Sequence, residues 1–332
     1  MIIGHFGKIP AGQDVLRIPL RGGGLTAHVL TWGGTLQDLR LDGVGHSLVL
    51  GFPSLGQYLQ SSAYIGATVG RFANRIAQGQ AVIAGKPYQL DCNFLGKHLL
   101  HGGAIGTDRQ VWELLTQAED TATLRLQLAD GHMGFPGNLE VRLTYRLSGV
   151  GVLSVELTAT TDAPTLCSFA HHSYFNLDGS ASVLDHSLQI AAEHYLPIDA
   201  ECIPTGSLAP VAGTAFDFRQ RHAVGERHTH YDHNFCLGQV RQALRPVACL
   251  HGASSGIRMV IETTEPGLQV YDGKWLDSGF PPHAGLALEP QGWPDAPNQP
   301  GFPTAELLPG DVYQQVTRFV FGQDRDGSLW GG

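Results

Sequence analysis

Apolar residues alternate with polar ones in Leu124-Leu126-Leu128, in Leu139-Val141-Leu143-Tyr145-Leu147 and in Leu153-Val155-Leu157-Ala159. A period of two puts every second side chain on one face, so each run predicts a strand with one buried face. Together they predict an antiparallel meander over 122–160. Short runs at 15–20, 25–32, 257–263 and 312–321 are bounded by Gly, Pro or Asp clusters and predict further strands. The 43 glycines and 19 prolines punctuate the whole chain and leave little room for long helices. The expectation is an all-β protein, a large antiparallel β-sandwich rather than a series of βαβ units. No linker or internal repeat divides the chain, so residues 1–332 are expected to form a single domain.

Composition narrows the function. With 42% hydrophobic and 15% charged residues there is material for a large core. A formal charge of -9 without any Lys/Arg-rich stretch argues against nucleic acid as a partner and favours a neutral small molecule. The five cysteines, Cys92, Cys167, Cys202, Cys236 and Cys249, are odd in number and contain no CxxC pair, which fits reduced thiols rather than a disulfide or zinc framework. The first ten residues lack the pattern of a secretory signal, and no apolar run is long enough to cross a membrane. A cytoplasmic protein, monomer or homodimer, is expected.

Three segments carry histidines: Leu100-His101-Gly102-Gly103, His171-His172-Ser173-Tyr174-Phe175-Asn176, and His228 to His233. Each alone is weak, because a histidine beside aromatic residues is more often structural than catalytic. His228 and His230 would point the same way on a strand and could suggest a metal site. Segment 66–76, with Arg71, Asn74 and Arg75, has glycines but no Lys-Ser/Thr after them, so it is not a phosphate loop. Asn74 and Arg75 are either ordinary surface groups or donors suited to sugar hydroxyls. The loop-rich stretch 289–303 carries Glu289, Trp293 and Asp295, polar and aromatic members that a packing role does not obviously explain.

Taken together, six motifs resemble the aldose 1-epimerase (galactose mutarotase) family in both content and order. They are Gly70-Arg71-Phe72-Ala73-Asn74-Arg75-Ile76, Leu100-His101-Gly102-Gly103, Gly134-Phe135-Pro136-Gly137-Asn138-Leu139, His172-Ser173-Tyr174-Phe175-Asn176-Leu177, Asp232-His233-Asn234-Phe235, and Leu288-Glu289-Pro290-Gln291 followed by Pro294-Asp295-Ala296 and Asn298. The resemblance implies a galactose mutarotase-like supersandwich of antiparallel strands. It implies Glu289 as general base, His172 as general acid and His101 as a second active-site histidine. It also implies Asn74, Arg75, Asp232 and Gln269 as contacts to a monosaccharide. His171, Asp272-Gly273-Lys274 and Gly292-Trp293 depart from the family's usual residues, so the resemblance carries the reaction further than it carries a preference for galactose.

Anomer exchange in a hemiacetal requires the C1 hydroxyl to lose a proton while the ring oxygen gains one, work for one base and one acid. No cofactor or metal is expected. Tyr174, Phe175 and Trp293 are candidates to stack on the sugar. Three rivals remain at this level: a carbohydrate-binding sandwich without catalysis, a mutarotase for sugar phosphates, and a metalloenzyme built on 228–233.

Overall fold

In the computed structural model, residues 2–277 and 279–323 are described. The alternating runs form strands Thr121–Leu128, Leu139–Ser148 and Val152–Thr161, paired in sequence order as an antiparallel meander. Leu124 lies opposite Leu143, and Leu143 opposite Leu157, so the apolar positions of adjacent strands share one face. A slip of one residue would turn that whole set to the other side, which is why the pattern fixes the register. The meander belongs to a nine-stranded sheet that begins with Glu113–Gln117 and continues past it through Tyr313–Gln323, Ile257–Thr263, Arg245–His251, Ser187–Ile190 and His222–Ala223.

Strands Gly4–Lys8, Asp14–Gly22, Leu25–Leu30 and Thr35–Leu41 form a second sheet. A third, six-stranded sheet runs in the order Tyr174–Phe175, Leu286–Gln291, Gly267–Tyr271, Asp232–Cys236, His194–Tyr195, Ala209–Pro210. The one α-helix among the described residues is Leu55–Gln60. The expected antiparallel all-β architecture is therefore the one observed.

Period-two alternation in the six-stranded sheet positions the site. Phe235, Leu268, Val270, Leu286 and Leu288 face a core shared with Leu143, Leu157, Ile261 and Phe319 of the large sheet and Val29 and Leu39 of the small one. Burying each such side chain stabilises the fold by about 1.5–3 kcal/mol. The intervening residues, Asp232 and Asn234, Gln269 and Tyr271, Glu289 and Gln291, are thereby sent to the opposite face. Cross-strand pairing sets Asn234 opposite Gln269 and Gln269 opposite Glu289, a polar row across three strands.

Candidate active site

Over this polar face lies a cavity of about 230 Å³, lined by Tyr64, Asn74, Arg75, His101, His172, Tyr174, Asp232, Tyr271, Trp275 and Glu289, among others. That is below the roughly 300–1,000 Å³ of pockets for drug-sized ligands, and suits one small polar molecule. Glu289 sits inside strand Leu286–Gln291 rather than on the proline-rich loop where the sequence pattern put it, and is 2% exposed. His172, in the turn before Tyr174–Phe175, is tied by its backbone N–H to the carbonyl of Ala67 and brings Nε2 to 3.6 Å from Glu289 Oε1. The gap is too long for a good hydrogen bond and short enough for strong mutual influence.

Burial acts on both partners by disfavouring their charged forms. It lowers the His172 pKa to about 4, with the Asp232 carboxylate opposing. It pushes Glu289 well above the usual carboxylate range, helped by Asp232 and opposed by Arg75. Glu289 Oε2 and His172 Nδ1 are buried without a hydrogen-bond partner.

His101 crosses the His172 ring edge to face, with centroids 5.3 Å apart. Its backbone is held at φ 50°, a left-handed conformation unusual outside glycine. The backbone N–H of Asn74 donates to His101 Nδ1 at 3.1 Å, so the neutral ring carries its proton on Nε2. Burial, His172 and Arg75 together hold His101 well below the ordinary histidine range. Asn74 Oδ1 accepts the Arg75 N–H. Arg75 Nη2 donates to Asp232 Oδ2 at 3.3 Å, and its guanidinium lies 4.6 Å from the Phe94 ring centroid.

Among the sequence-predicted residues, Glu289, His172, His101, Asn74, Arg75 and Asp232 converge on the cavity. Gln269 stands behind it, donating Nε2 to Asp232 Oδ1 at 2.6 Å. Several other expectations are corrected. Trp293 is buried, donates to the Pro266 carbonyl and packs on Phe302, so it does not face a ligand. Phe175 is core, against Phe319 and Phe321. Asp295 accepts from the Ala77 backbone, Asn298 and Gln299, which is the packing role the sequence did not reveal.

Arg71 is 1% exposed and donates to Pro136, Gly137 and Thr165, away from the cavity. His171 also faces away, between Tyr145 and Ser173. Tyr145 gives its proton to the Gly34 carbonyl, so His171 Nδ1 must donate to it and Nε2 accept from Ser173. His228 has φ 50° and lies before the strand, so His228 and His230 are not a strand pair. His230 instead meets buried Asp272 at 3.1 Å. Tyr64, Tyr271 and Trp275 line the cavity without having been singled out. Trp275, 69% exposed beside Lys274, was legible as a large aromatic in a polar, glycine-containing stretch.

Ligand atoms of His101, His172 and Glu289 fall within 4.8 Å of one another, the one such group of His, Cys, Asp or Glu among the described residues. A two-histidine, one-carboxylate set can hold a transition metal. His101 fits that role poorly, because a ligating histidine usually donates its second N–H outward, whereas this one accepts there.

An antiparallel sandwich carrying a small polar cavity and a buried carboxyl–imidazole pair is the outline of an acid/base enzyme for a small hydroxylated molecule. The aldose 1-epimerase family profile matches residues 17–320. Galactose mutarotase of Mus musculus is 41% identical over 95% of this chain and 97% of its own length. Aldose 1-epimerase of Escherichia coli K12 is 36% identical over 94% and 96%. Among solved structures, the galactose 1-epimerase of Lactobacillus acidophilus superposes with a TM-score of 0.86 at 30% identity, covering 98% of this chain and 99% of that one. The GalM/aldose epimerase homologue of C. elegans does so with a TM-score of 0.88 at 32% identity, covering 93% and 99%. This chain belongs to the aldose 1-epimerase family.

Proposed function

We infer that the chain is an aldose 1-epimerase that interconverts the α and β anomers of a free monosaccharide such as galactose or glucose, with Glu289 as base and His172 as acid. The observation that carries the reading is the 3.6 Å approach of His172 Nε2 to Glu289 Oε1 inside the cavity. The C1 hydroxyl and ring oxygen hang on the same carbon, so the groups that serve them must lie this near each other. Neutral imidazole with protonated carboxyl, and imidazolium with carboxylate, contain the same number of protons. The pair therefore titrates as a unit, and the charged arrangement is the one that opens the ring.

In that arrangement Glu289 takes the proton from the C1 hydroxyl while His172 gives one to the ring oxygen, leaving an open-chain aldehyde. Rotation about C1–C2 presents the other carbonyl face, and the two transfers run backwards. His101 Nε2–H, with Asn74, Arg75 and Asp232, would hold the sugar's oxygens. A purely sugar-binding module would have no use for the buried pair. The sugar-phosphate alternative loses support because Arg71 is committed elsewhere and Arg75 already faces Asp232.

Polarimetry or NMR of freshly dissolved α-D-galactose, α-D-glucose and L-arabinose tests the reading. Glu289→Gln and His172→Asn are each expected to lower kcat by about 10²-fold or more with sugar binding retained. Near-native turnover by folded Glu289→Gln would remove the base from this mechanism.

A further inference from the structure

Hydrogen bonding does little to fix the two imidazoles of the cavity. His172 Nδ1 has no partner, and its Nε2 stands 3.6 Å from Glu289 Oε1. His101 is tied by the bond from the Asn74 N–H to Nδ1. The torsion that turns an imidazole about Cβ–Cγ is soft and roughly two-fold, so packing must choose between its orientations. A half-turn of His172 would put Cε1 where Nε2 now faces Glu289. Tyr64 supplies packing for both rings. Its ring meets His101 edge to face with centroids 4.6 Å apart, and lies 5.7 Å from His172 at 34°. The imidazoles themselves cross at 5.3 Å, so the three rings are in mutual contact, and Tyr174 adds a fourth, 5.0 Å from His172. Edge-to-face and offset pairs at such spacings are the favoured aromatic geometries.

The backbone ties Tyr64 to the same place. It is held at φ 54°, a conformation that costs a tyrosine free energy and persists only where the surroundings impose it. Its carbonyl accepts the Ala67 N–H at 3.0 Å, closing a turn. From that turn the Gly66 N–H donates to the His172 carbonyl at 3.0 Å, and the Ala67 carbonyl accepts the His172 N–H at 2.8 Å. Residue 172 is thus gripped on both sides by the turn that carries Tyr64. We propose that Tyr64 is a positioning residue for the acid/base pair: its ring, packed on His101 and His172 at once, holds His172 Nε2 toward Glu289 and the His101 N–H into the cavity. The proposal rests on the acid/base reading above. It assigns the work to the aromatic ring, which is the part that touches both histidines. Glu289, Asp232 and Arg75 share the cavity with this cluster, and Asp108 and Arg109 line a smaller hollow with Tyr64.

The test pairs kinetics with a readout that needs no turnover. Tyr64→Phe keeps the ring and Tyr64→Leu removes it, while the backbone cost at φ 54° stays common to all three side chains. In sugar-free protein with ¹⁵N-labelled histidine, NMR should place the Tyr64 ring protons near both imidazoles. Each imidazole should give one sharp set of signals, with the His101 proton on Nε2. Tyr64→Phe should preserve these signals and kcat. Tyr64→Leu should broaden or double the His172 signals and lower kcat by about 10–100-fold with KM little changed, the pattern of a misaimed acid. Wild-type protein in which His172 samples both ring orientations overturns the proposal without any variant, so the test survives a leucine variant that does not fold. Equal losses in the phenylalanine and leucine variants would assign the effect to the hydroxyl and overturn it. A raised KM with kcat and imidazole signals unmoved would make Tyr64 a sugar contact only, and would overturn it too. Because the signals are read without sugar, a chain inactive on every aldose would defeat the mutarotase reading and leave this test intact.

Discussion

At the scale of single residues, Arg75, Asp232 and Gln269 form one hydrogen-bonded chain beside the unpartnered Glu289 Oε2 and His172 Nδ1. Asp232 accepts from Arg75 and Gln269 together, so Asp232→Ala leaves two donors without their partner as well as removing the carboxylate proposed to meet sugar hydroxyls. Leaving such groups unpaired costs about 1–3 kcal/mol each, and the expected outcome is a kcat/KM lower by 10-fold or more, roughly, with a raised KM. Unchanged kinetics on every active sugar would sink that assignment. His101 bears on the metal alternative: with Nδ1 accepting from Asn74, Nε2 is a donor into the cavity rather than a lone pair. Exhaustive chelation is accordingly expected to leave anomer exchange unchanged, and activity lost to chelator and restored by a divalent ion would contradict it. In the proposed mechanism Glu289 and His172 serve one event, so the double variant Glu289→Gln/His172→Asn should lose far less than the product of the two single losses.

At the scale of elements, the side chains lining the cavity come from two kinds of support, and the sequence disclosed them unequally. Glu289 and Asp232 stand on strands whose alternation was readable only in part, since Leu286–Gln291 is buried on both faces and does not alternate in polarity. A fully buried strand reads like a loop-bounded apolar run, which is why Glu289 passed for a loop residue. The meander was legible because one face of it meets solvent. His101 and Asn74 stand on tight turns with left-handed backbone, at φ 50° and 66°, for which no periodicity exists. His171 and His172 are adjacent and alike in sequence, and only the pleat separates them, one facing Tyr145 and the other the cavity. The turn after His101 depends on Gly102, at φ +87°, where an added Cβ would meet the Gly70 carbonyl oxygen. Gly102→Ala should therefore lower stability by about 1–3 kcal/mol through backbone strain and displace His101. Chemical denaturation and kcat measured together check this, and a variant as stable and active as wild type would show that the turn relaxes at little cost.

At the scale of the whole molecule, the site and the fold oppose each other. The sandwich closes a core on one face of the six-stranded sheet and buries a carboxyl on the other, and burial makes that carboxyl a liability for stability. The folded Glu289 pKa is raised well above its ordinary value, chiefly by desolvation. A group raised in the folded state binds its proton more tightly there, so its contribution is complete below the unfolded pKa of about 4.3 and is lost as pH rises toward the folded pKa. Glu289→Gln removes that ionisation, while its volume and polarity stay close to native. The variant should match wild type near pH 4 and become progressively more stable relative to it as pH rises. The relative gain should be about 1.4 kcal/mol per pH unit until the folded pKa is reached, then level off. The neutral histidine His171 carries the opposite sign, with its pKa held to about 3, but it faces away from Glu289, is common to both proteins and cancels in the difference, whereas any change in His172, held to about 4 beside Glu289, is part of what the comparison reads. Thermal or urea unfolding of the two proteins from pH 4 to 8 measures the difference directly. A gain that does not change with pH would mean that burial leaves Glu289 unperturbed, whereas a pH-dependent gain in a variant that has lost turnover would express in stability what the fold gives up to bury that carboxyl.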